Sequence, residues 1–284
     1  MEAALPELPE VETVRRTLEP AVGRRVLGVW TSGLPLRMSR PVDRIGLERA
    51  AVGAVLGAVR RHGKYLMLEF EDRGELVLVH LGMSGRLRLV QLREPEVPHT
   101  HVVFALDGAR QIRFSDPRRF GFVDVAPSGA RMREHPALAG LGRDPLLERV
   151  GGSFLHEALR RSRQVVKTIL LDQRILAGVG NIYACEALWL ARIAPTVRGH
   201  KLSRAQSDEL MRAVRAVLRR ALTRGGTSLR DFVDADGIEG ENAEYLRVYG
   251  REGEPCLRRG CGGTIRRVVI QGRSTFYCPR CQRR

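Results

Sequence analysis

The sequence predicts an α+β protein in which an N-terminal antiparallel β-sandwich is followed by a helical region and a metal-bound β-hairpin. Between residues 24 and 125, short apolar and β-branched stretches alternate with turn residues. From Ser153 onward, apolar residues recur at helical spacing, and four cysteines lie close to the end of the chain. Short strands separated by turns favour a sandwich over a parallel sheet, because parallel strands need long crossover connections.

The first element is a proline-spaced acidic segment, Pro6-Glu7-Leu8-Pro9-Glu10, which leads into apolar residues at helical spacing. A helix is predicted to begin near Pro9, since proline suits a first helical turn. Pro6 can be read in two ways. It is either part of an ordinary helix entry or the terminal residue of the working protein, whose secondary amine could attack a sugar C1′ while Glu7 handles protons. A terminal amine has a reference pKa near ~8, against ~10.4 for lysine, so more of it is nucleophilic at neutral pH.

The sandwich is predicted to contain eight strands, which are separated by turn residues. They span residues 26–30, 54–59, 65–70, 76–81, 87–89, 101–106, 111–114 and 120–125. The Pro- and Gly-rich segment 127–152 is predicted to be the domain boundary. In the helical region, Ser203 and Gln206 form a capping-box pattern ahead of a long helix that Gly225-Gly226 closes. The polar segment 231–242 is predicted to be a mobile loop.

The charge of the chain indicates a polyanionic partner. The formal net charge is +16, the pI is about 10.9, and all but three of the basic residues are arginines. Arginine suits phosphate recognition, so nucleic acid is favoured over a membrane surface. No apolar run of membrane-spanning length and no secretory signal is present, which predicts a monomeric protein of the bacterial cytoplasm, associated with the nucleoid and not with a membrane.

The cysteines predict one structural zinc ion. Cys256 and Cys261 are separated by four residues, and Cys278 and Cys281 by two, with a β-like stretch between the pairs. Two thiolate pairs joined by a hairpin are typical of a closed tetrahedral site, which leaves no coordination position for chemistry. The hairpin tip carries Arg273, which the metal could brace toward a phosphate. The remaining cysteine, Cys185, is interpreted as a small core residue.

Three further stretches have both a structural and a functional interpretation. Asn181 follows a glycine turn and can cap a helix or help bind an anionic oxygen, and the charge of the chain favours phosphate binding. Lys64 follows Arg60-Arg61-His62 and is either an exposed basic residue or a proton carrier whose pKa the neighbouring charges lower. Met83 and Phe120 are either core residues or loop residues that fill the gap left by an extruded base.

The chain resembles the bacterial formamidopyrimidine-DNA glycosylases. The motifs Pro-Glu-Leu-Pro-Glu, His-Leu-Gly-Met-Ser-Gly, Asp-Pro-Arg-Arg-Phe-Gly, Gly-Val-Gly-Asn-Ile-Tyr and the C-terminal cysteines occur in the order that this family shows. The resemblance covers residues 6–284 and favours this branch over the related endonuclease VIII branch. It implies a β-sandwich with flanking helices, a helix-two-turns-helix domain and a β-hairpin zinc finger. The expected divisions are 1–135, 150–230, a base-capping loop and linker at 231–250, and 251–284.

The resemblance also implies catalytic roles. Pro6 would be the Schiff-base nucleophile, and Glu7 would be the proton donor that assists sugar opening. Lys64 would be the general acid/base and phosphate contact in β-elimination, and Arg273 would assist δ-elimination. The implied DNA contacts fall into a void-filling trio and a backbone-holding set. The trio is Met83, Arg118 and Phe120, and the backbone-holding set is His99, Arg119, Arg163 and Asn181.

Three departures from the family pattern matter. The first cysteine pair is spaced by four residues where many members have two, which still leaves two thiolate pairs. After Gly240, Glu241 and Asn242 stand where an aromatic pair is usual, so a polar lid could change the substrate range. Residues 1–5 precede Pro6. Leu5 is what a TTG or CTG start codon is translated to on paper, so we expect residues 1–5 to be absent from the native protein.

The principal prediction is therefore a glycosylase and abasic-site lyase. It would remove oxidised purines such as 8-oxoguanine and formamidopyrimidines from double-stranded DNA, and would cut at abasic sites by β,δ-elimination. One alternative is a non-catalytic protein that binds damaged DNA and has lost its free proline. A zinc-ribbon nucleic-acid factor outside repair is a further alternative, and it requires neither Pro6-Glu7 nor Lys64.

Overall fold

A computed structural model describes residues 6–36, 41–227 and 241–283. These residues form two compact units. The N-terminal unit contains residues 6–140 and 225–227, and the C-terminal unit contains residues 141–224 and 241–283. Of the sequence features discussed above, residues 1–5 and most of the predicted mobile loop lie outside the described residues.

The N-terminal unit is built on two four-stranded antiparallel sheets, with strand orders β1-β6-β7-β5 and β2-β3-β4-β8. The strands are β1 (Val26–Thr31), β2 (Leu56–His62), β3 (Tyr65–Phe70), β4 (Glu75–His80), β5 (Arg86–Gln91), β6 (Thr100–Leu106), β7 (Arg110–Ser115) and β8 (Phe122–Pro127). Each overlaps one of the eight predicted strands. Apolar residues from both sheets and the first helix share one buried core. The prediction of an antiparallel sandwich is confirmed.

Three helices flank these sheets: α1 (Leu8–Thr17), α2 (Arg44–Ala51) and α3 (Pro136–Ala139). Glu7 is the N-cap of α1, and it forms a reciprocal capping box with Glu10, whose carboxylate accepts the Glu7 amide at 2.9 Å. The helical spacing of the sequence continues to Val22, but α1 ends at Thr17 and a short 3-10 turn follows. The sequence analysis missed α2, although Asp43 caps it by accepting the Gly46 amide.

The C-terminal unit contains four helices and a hairpin. These are α4 (Gly152–Arg160), α5 (Val166–Leu171), α6 (Asn181–Leu190), α7 (Arg204–Thr223), β9 (Arg266–Ile270) and β10 (Arg273–Tyr277). The predicted Ser203–Gln206 capping box is present at the start of α7. No described helix combines the length and the apolar character needed to cross a bilayer. The predicted hairpin is confirmed, with Gln271 and Gly272 both at positive φ in its two-residue turn.

The cysteine hairpin is attached to the carboxyl end of α6. The Trp189 indole donates to Cys256 Sγ at 3.4 Å, and the Gln282 side chain donates to the Ile193 carbonyl at 2.9 Å. Farther along the chain, the carboxylate of Glu186 accepts the amides of residues 247–249 at 2.9–3.0 Å. Burial raises the pKa of Glu186, and these amide hydrogen bonds oppose that rise. Helix α6 is therefore the element that holds the hairpin and the segment before it.

A buried ion pair fixes α1 against the sandwich. Glu12 accepts a hydrogen bond from Arg61 on β2 at 3.0 Å, and the Arg61 side chain is only 1% exposed. Burial tends to raise the pKa of Glu12, but the hydrogen bonds and charges of Arg61 and Arg15 outweigh it and lower the pKa below its ordinary 4.5. The stability that Glu12 contributes is therefore present above about pH 4.5 and is lost as the pH falls through the lower folded-state pKa.

We expect Glu12→Ala to lower the free energy of unfolding by about 3–5 kcal/mol at pH 7, because it leaves Arg61 charged and buried without its carboxylate. Urea denaturation followed by circular dichroism measures this loss. Glu19→Ala is the matched control, since Glu19 also pairs with Arg15 but is 61% exposed, and its removal should cost less than about 1 kcal/mol. Equal effects of the two substitutions would contradict the role of the buried pair.

Candidate functional site

Three predicted site residues emerge at the same end of the β2-β3-β4-β8 sheet. Tyr65 pairs with His80, and His80 pairs with Phe122, so the start of β3, the end of β4 and the start of β8 are in register. Lys64 immediately precedes Tyr65, Met83 follows His80 by three residues, and Phe120 precedes Phe122 by two. The antiparallel register therefore gathers Lys64, Met83 and Phe120, which are far apart in sequence.

The second sheet contributes from its corresponding strand ends. Ser115 at the end of β7 pairs with Arg86 at the start of β5 and with Thr100 at the start of β6. His99 therefore lies beside Asp116, and the Asp116 amide donates to the His99 carbonyl at 3.0 Å. The loops 81–85 and 116–121 connect one sheet to the other, so their residues are collected at one end of the sandwich.

The direction of α1 places Pro6 and Glu7 toward this same end. Arg15 donates to the carbonyl of Val59, whereas Glu12, nearer the start of α1, accepts from Arg61, farther along β2. Moving toward the start of α1 thus means moving along β2 toward the turn that carries Lys64. Pro6 and Glu7 are both buried, and Glu7 is 2% exposed. The order of contacts aligns the proline-acid segment with the Lys64 turn.

His80 connects the Lys64 turn to the Met83 loop. Its ring lies 4.9 Å from that of Tyr65 and 5.8 Å from that of Phe122. Burial, aided by the positive charge of Lys64, lowers the pKa of His80 to about 4. The imidazole is therefore neutral near pH 7, and its Nδ1 accepts the Gly82 amide at 3.0 Å. A neutral ring thus holds the start of the Met83 loop.

Asp116 holds the two connecting loops together. Its carboxylate is fully buried, accepts the Ser84 hydroxyl at 2.5 Å and the Gly121 amide at 2.7 Å, and lies 3.2 Å from the Arg118 amide. Ser84 follows Met83, while Arg118 and Gly121 enclose the other predicted DNA contacts. One buried carboxylate therefore sets the relative position of the Met83 loop and the Arg118–Phe120 loop.

The backbone of these loops is closely packed and locally strained. Gly82 has φ +63°, and a Cβ at this position would lie 2.3 Å from the Gly121 amide nitrogen, so only glycine fits. His99 and Arg119 also adopt left-handed backbone conformations, with φ 63° and 55°, which non-glycine residues seldom adopt. Such strain is typical of functional sites. The side chains of His99, Arg118 and Arg119 are exposed, and the Arg118 guanidinium lies 4.8 Å from the Phe120 ring centre.

In the C-terminal unit, a buried lysine joins Asn181 to the hairpin. Lys167 is 0% exposed, and its ammonium donates to Asn181 Oδ1 at 2.5 Å, to Thr275 Oγ1 at 2.5 Å and to the Ser274 carbonyl at 3.3 Å. Asn181 Nδ2 donates to the same Ser274 carbonyl at 3.0 Å. Because Arg273 immediately precedes Ser274 and is exposed, the network places Asn181 and Arg273 beside each other.

Two details of this unit differ from expectation. Asn181 was expected to be a helix N-cap, but Gly180 is the N-cap of α6 and Asn181 is the first helical residue. Its side chain is used in the lysine network instead. Arg163 is exposed in the loop between α4 and α5, and its carbonyl accepts Arg198 Nη1 at 2.9 Å. Among the described contacts, none joins Arg163 to Asn181.

The four predicted zinc ligands converge, with all four sulfurs within 4.8 Å of one another. Cys256 Sγ lies 3.9 Å from Cys281 Sγ, and Cys261 Sγ lies 3.6 Å from Cys278 Sγ. Bonds of about 2.3 Å from a tetrahedral zinc place its sulfurs about 3.8 Å apart. The donor set and spacing fit one structural Zn²⁺ in spite of the longer first knuckle. Cys185 is buried in α6 and is separate from this cluster.

The sequence analysis assigned no role to Asp116 or Lys167. Asp116 was visible only as the first residue of the Asp-Pro-Arg-Arg-Phe-Gly motif. Lys167 was visible only as one of three lysines in an arginine-rich chain. That rarity is the one signal that could have singled it out.

Comparison with known proteins assigns all three regions to one family. Residues 5–123 match the formamidopyrimidine-DNA glycosylase N-terminal domain, residues 141–233 match its H2TH domain, and residues 253–284 match the zinc finger found in FPG and IleRS. Formamidopyrimidine-DNA glycosylases of Magnetococcus marinus and Paracoccus denitrificans are 45% and 46% identical, over 98% of this chain and all of theirs.

Solved structures agree with this assignment. A mutant Lactococcus lactis FPG in complex with a Fapy-dG containing DNA has a TM-score of 0.88 and is 33% identical. The Lactococcus lactis Fpg in complex with an abasic site containing DNA has a TM-score of 0.86. Both comparisons cover 98% of this chain and 100% of the other. With its sandwich, its H2TH helices and its zinc hairpin all matched, the chain belongs to the formamidopyrimidine-DNA glycosylase family.

Proposed function

We propose that this DNA glycosylase removes 8-oxoguanine and formamidopyrimidines from double-stranded DNA and then cuts the strand at the resulting abasic site. The observation that carries the proposal is the convergence of the Pro6-Glu7 segment, the Lys64 turn and the two Asp116-linked loops at one end of the sandwich. The family relationship supports it, because the Lactococcus lactis relatives bind Fapy-dG containing and abasic DNA.

The proposed chemistry begins at Pro6. As a terminal secondary amine, its nitrogen attacks the sugar C1′, and the bond from C1′ to the base breaks with its electrons leaving on the base. Glu7 delivers a proton to the ring oxygen, so the sugar opens to an iminium that remains attached to Pro6. Removal of a C2′ proton, assisted by Lys64, expels the 3′ phosphate. A second elimination, assisted by Arg273, expels the 5′ phosphate and leaves a one-nucleotide gap.

The proposed binding residues fall into two groups with different effects. Met83, Arg118 and Phe120 fill the space of the extruded base, and Arg118 faces the orphaned cytosine. His99, Arg119, Arg163 and Asn181 hold phosphates. Phosphate contacts act on all duplexes alike, whereas void-filling contacts act only when a base has been extruded.

We expect Asp116→Asn to weaken binding to a duplex with an abasic-site analogue about tenfold more than binding to an undamaged duplex. The amide removes one of the charged acceptors that hold the two loops, at a cost of about 1–3 kcal/mol. Equilibrium titration of both duplexes measures the ratio. Arg119→Ala is the control that should weaken both duplexes equally. An equal loss on both duplexes for Asp116→Asn would contradict the loop-positioning role.

Excision assays on matched duplexes test the substrate range. We expect formamidopyrimidine excision to be faster than 8-oxoguanine excision, because an acidic residue follows Gly240 and opened-ring purines offer more hydrogen-bonding groups. Glu241 is exposed, whereas Asn242 is 5% exposed and accepts Arg224 Nη1 at 3.4 Å, so Glu241 is the available member of the pair. Glu241→Tyr should narrow the difference between the lesions. An 8-oxoguanine rate equal to or above the formamidopyrimidine rate in the unaltered protein contradicts the prediction, and no excision of either lesion contradicts the proposed function.

A further inference from the structure

The zinc knuckles and the segment after α6 enclose a strongly basic cavity, here called the knuckle cavity. Its volume is about 520 Å³. Five arginines line it, together with Gly260, Cys261 and Cys281, and none of its lining residues is acidic. The arginines are Arg192, Arg258, Arg259, Arg280 and Arg283.

These arginines lack carboxylate partners in the part of the chain that the structure describes. None of the five takes part in an ion pair there, whereas neighbouring Arg251 pairs with Glu254 at 2.8 Å. Arg192, Arg259 and Arg283 are exposed, and their guanidinium groups make no hydrogen bond to another described residue. Repulsion between neighbouring guanidinium groups disfavours such a cluster unless an anion compensates it.

Internal structure accounts for only part of this charge. Arg258 donates to the carbonyl of Trp189, and its guanidinium lies 4.4 Å from the Trp189 ring centre, so it caps the negative end of α6. Four thiolates around Zn²⁺ carry a net charge of −2 when the metal is bound, which offsets two of the five arginines. An excess of positive charge remains, and it belongs to exposed side chains.

We propose that the knuckle cavity is a second DNA site, which binds the phosphate backbone of a duplex other than the one held at Asn181. Asn181 and Trp189 lie near opposite ends of α6, which is ten residues and therefore about 15 Å long. Asn181 contacts the hairpin strand β10, and Trp189 contacts the first knuckle. The two sites are thus formed by different surfaces of the C-terminal unit.

The chemistry of the cavity favours nucleic acid over an acidic protein. Guanidinium groups pair with phosphate oxygens in a two-point geometry, and several within one cavity match the regular charge spacing of a DNA strand. The Leu257-Arg258-Arg259-Gly260 knuckle supplies two of the arginines. A protein with such a site would bridge two duplexes, so it could transfer from one DNA segment to another without full release. The inference depends on neither Pro6 nor the excision chemistry.

The test uses the full-length, zinc-loaded protein on an immobilised duplex that carries an abasic-site analogue, followed by capture of a labelled undamaged duplex. We expect the unaltered protein to capture the second duplex. Arg259→Ala with Arg283→Ala should weaken capture about tenfold and lower the salt dependence of capture by about two phosphate equivalents. Arg44→Ala with Arg131→Ala removes the same charge from exposed residues elsewhere and should leave capture unchanged.

Zinc content and binding of the first duplex are measured in every variant, and Arg259→Glu alone replaces the double variant if the double variant loses zinc. Failure of the unaltered protein to capture a second duplex would overturn the proposal, as would equal weakening by the two double variants. Displacement of the second duplex by polyglutamate at lower charge concentration than by competing DNA would also overturn it, because the cavity would then suit an acidic protein.

Discussion

Borohydride should trap this protein covalently on abasic DNA when its chain begins at Pro6, and trapping should fall on the order of 10³-fold or more when residues 1–5 are retained. In the longer chain the Pro6 nitrogen is a tertiary amide whose lone pair is delocalised into the carbonyl group, so it cannot attack C1′. At the terminus it is a secondary amine with a reference pKa near ~8, which leaves part of it unprotonated at pH 7. The two proteins differ only in residues 1–5, so they form a matched pair.

The measurement is gel-resolved adduct formation, followed by peptide mapping of the attachment site. Glu7→Gln in the protein that begins at Pro6 is the control, because it keeps the amine and alters only the proton donor. Intact-mass analysis of the native protein establishes which start occurs, and the match to the N-terminal family domain begins at residue 5. Efficient trapping by a protein that retains Met1 would show that Pro6 is not the nucleophile, and Lys64 or the Met1 amine would take its place.

Cys278→Ser should reduce the zinc content from one ion per chain to well below one and lower DNA affinity about 100-fold, while the sandwich stays folded. A two-stranded hairpin is marginally stable alone, and metal binding supplies the free energy that shapes such a site. Loss of zinc frees the hairpin that carries Arg273 and the Ser274 carbonyl used by Lys167 and Asn181. Elemental analysis, duplex titration and circular dichroism measure the three effects.

Cys185→Ala is the matched control, because Cys185 is also a buried cysteine of the same unit but lies outside the sulfur cluster. It should retain one zinc ion and full DNA affinity. A Cys278→Ser protein that keeps its zinc and its affinity would contradict the structural role of the metal. A freshly purified, unaltered protein without zinc would contradict the metal assignment itself.

The sequence by itself determined the strands, the capping box of α7, the hairpin and the zinc ligands. These features are encoded locally, since side-chain alternation, cap residues and cysteine spacing each act over a few residues. It also indicated most of the candidate site, because those residues lie in motifs that resemble a known family. Local patterns were weaker where packing decides the outcome: α2 was missed, and Asn181 begins α6 without capping it.

Only the tertiary structure decided how these residues work together. Strand register brings the Lys64 turn and the loops after β4 and before β8 to one end of the sandwich, and the direction of α1 aligns Pro6 and Glu7 with them. Asp116 and Lys167 became visible only through their buried partners, which lie up to 108 residues away in sequence. A buried charge is tolerated only when hydrogen-bond partners surround it, and such partners are assembled by long-range contacts that have no local signature in the chain.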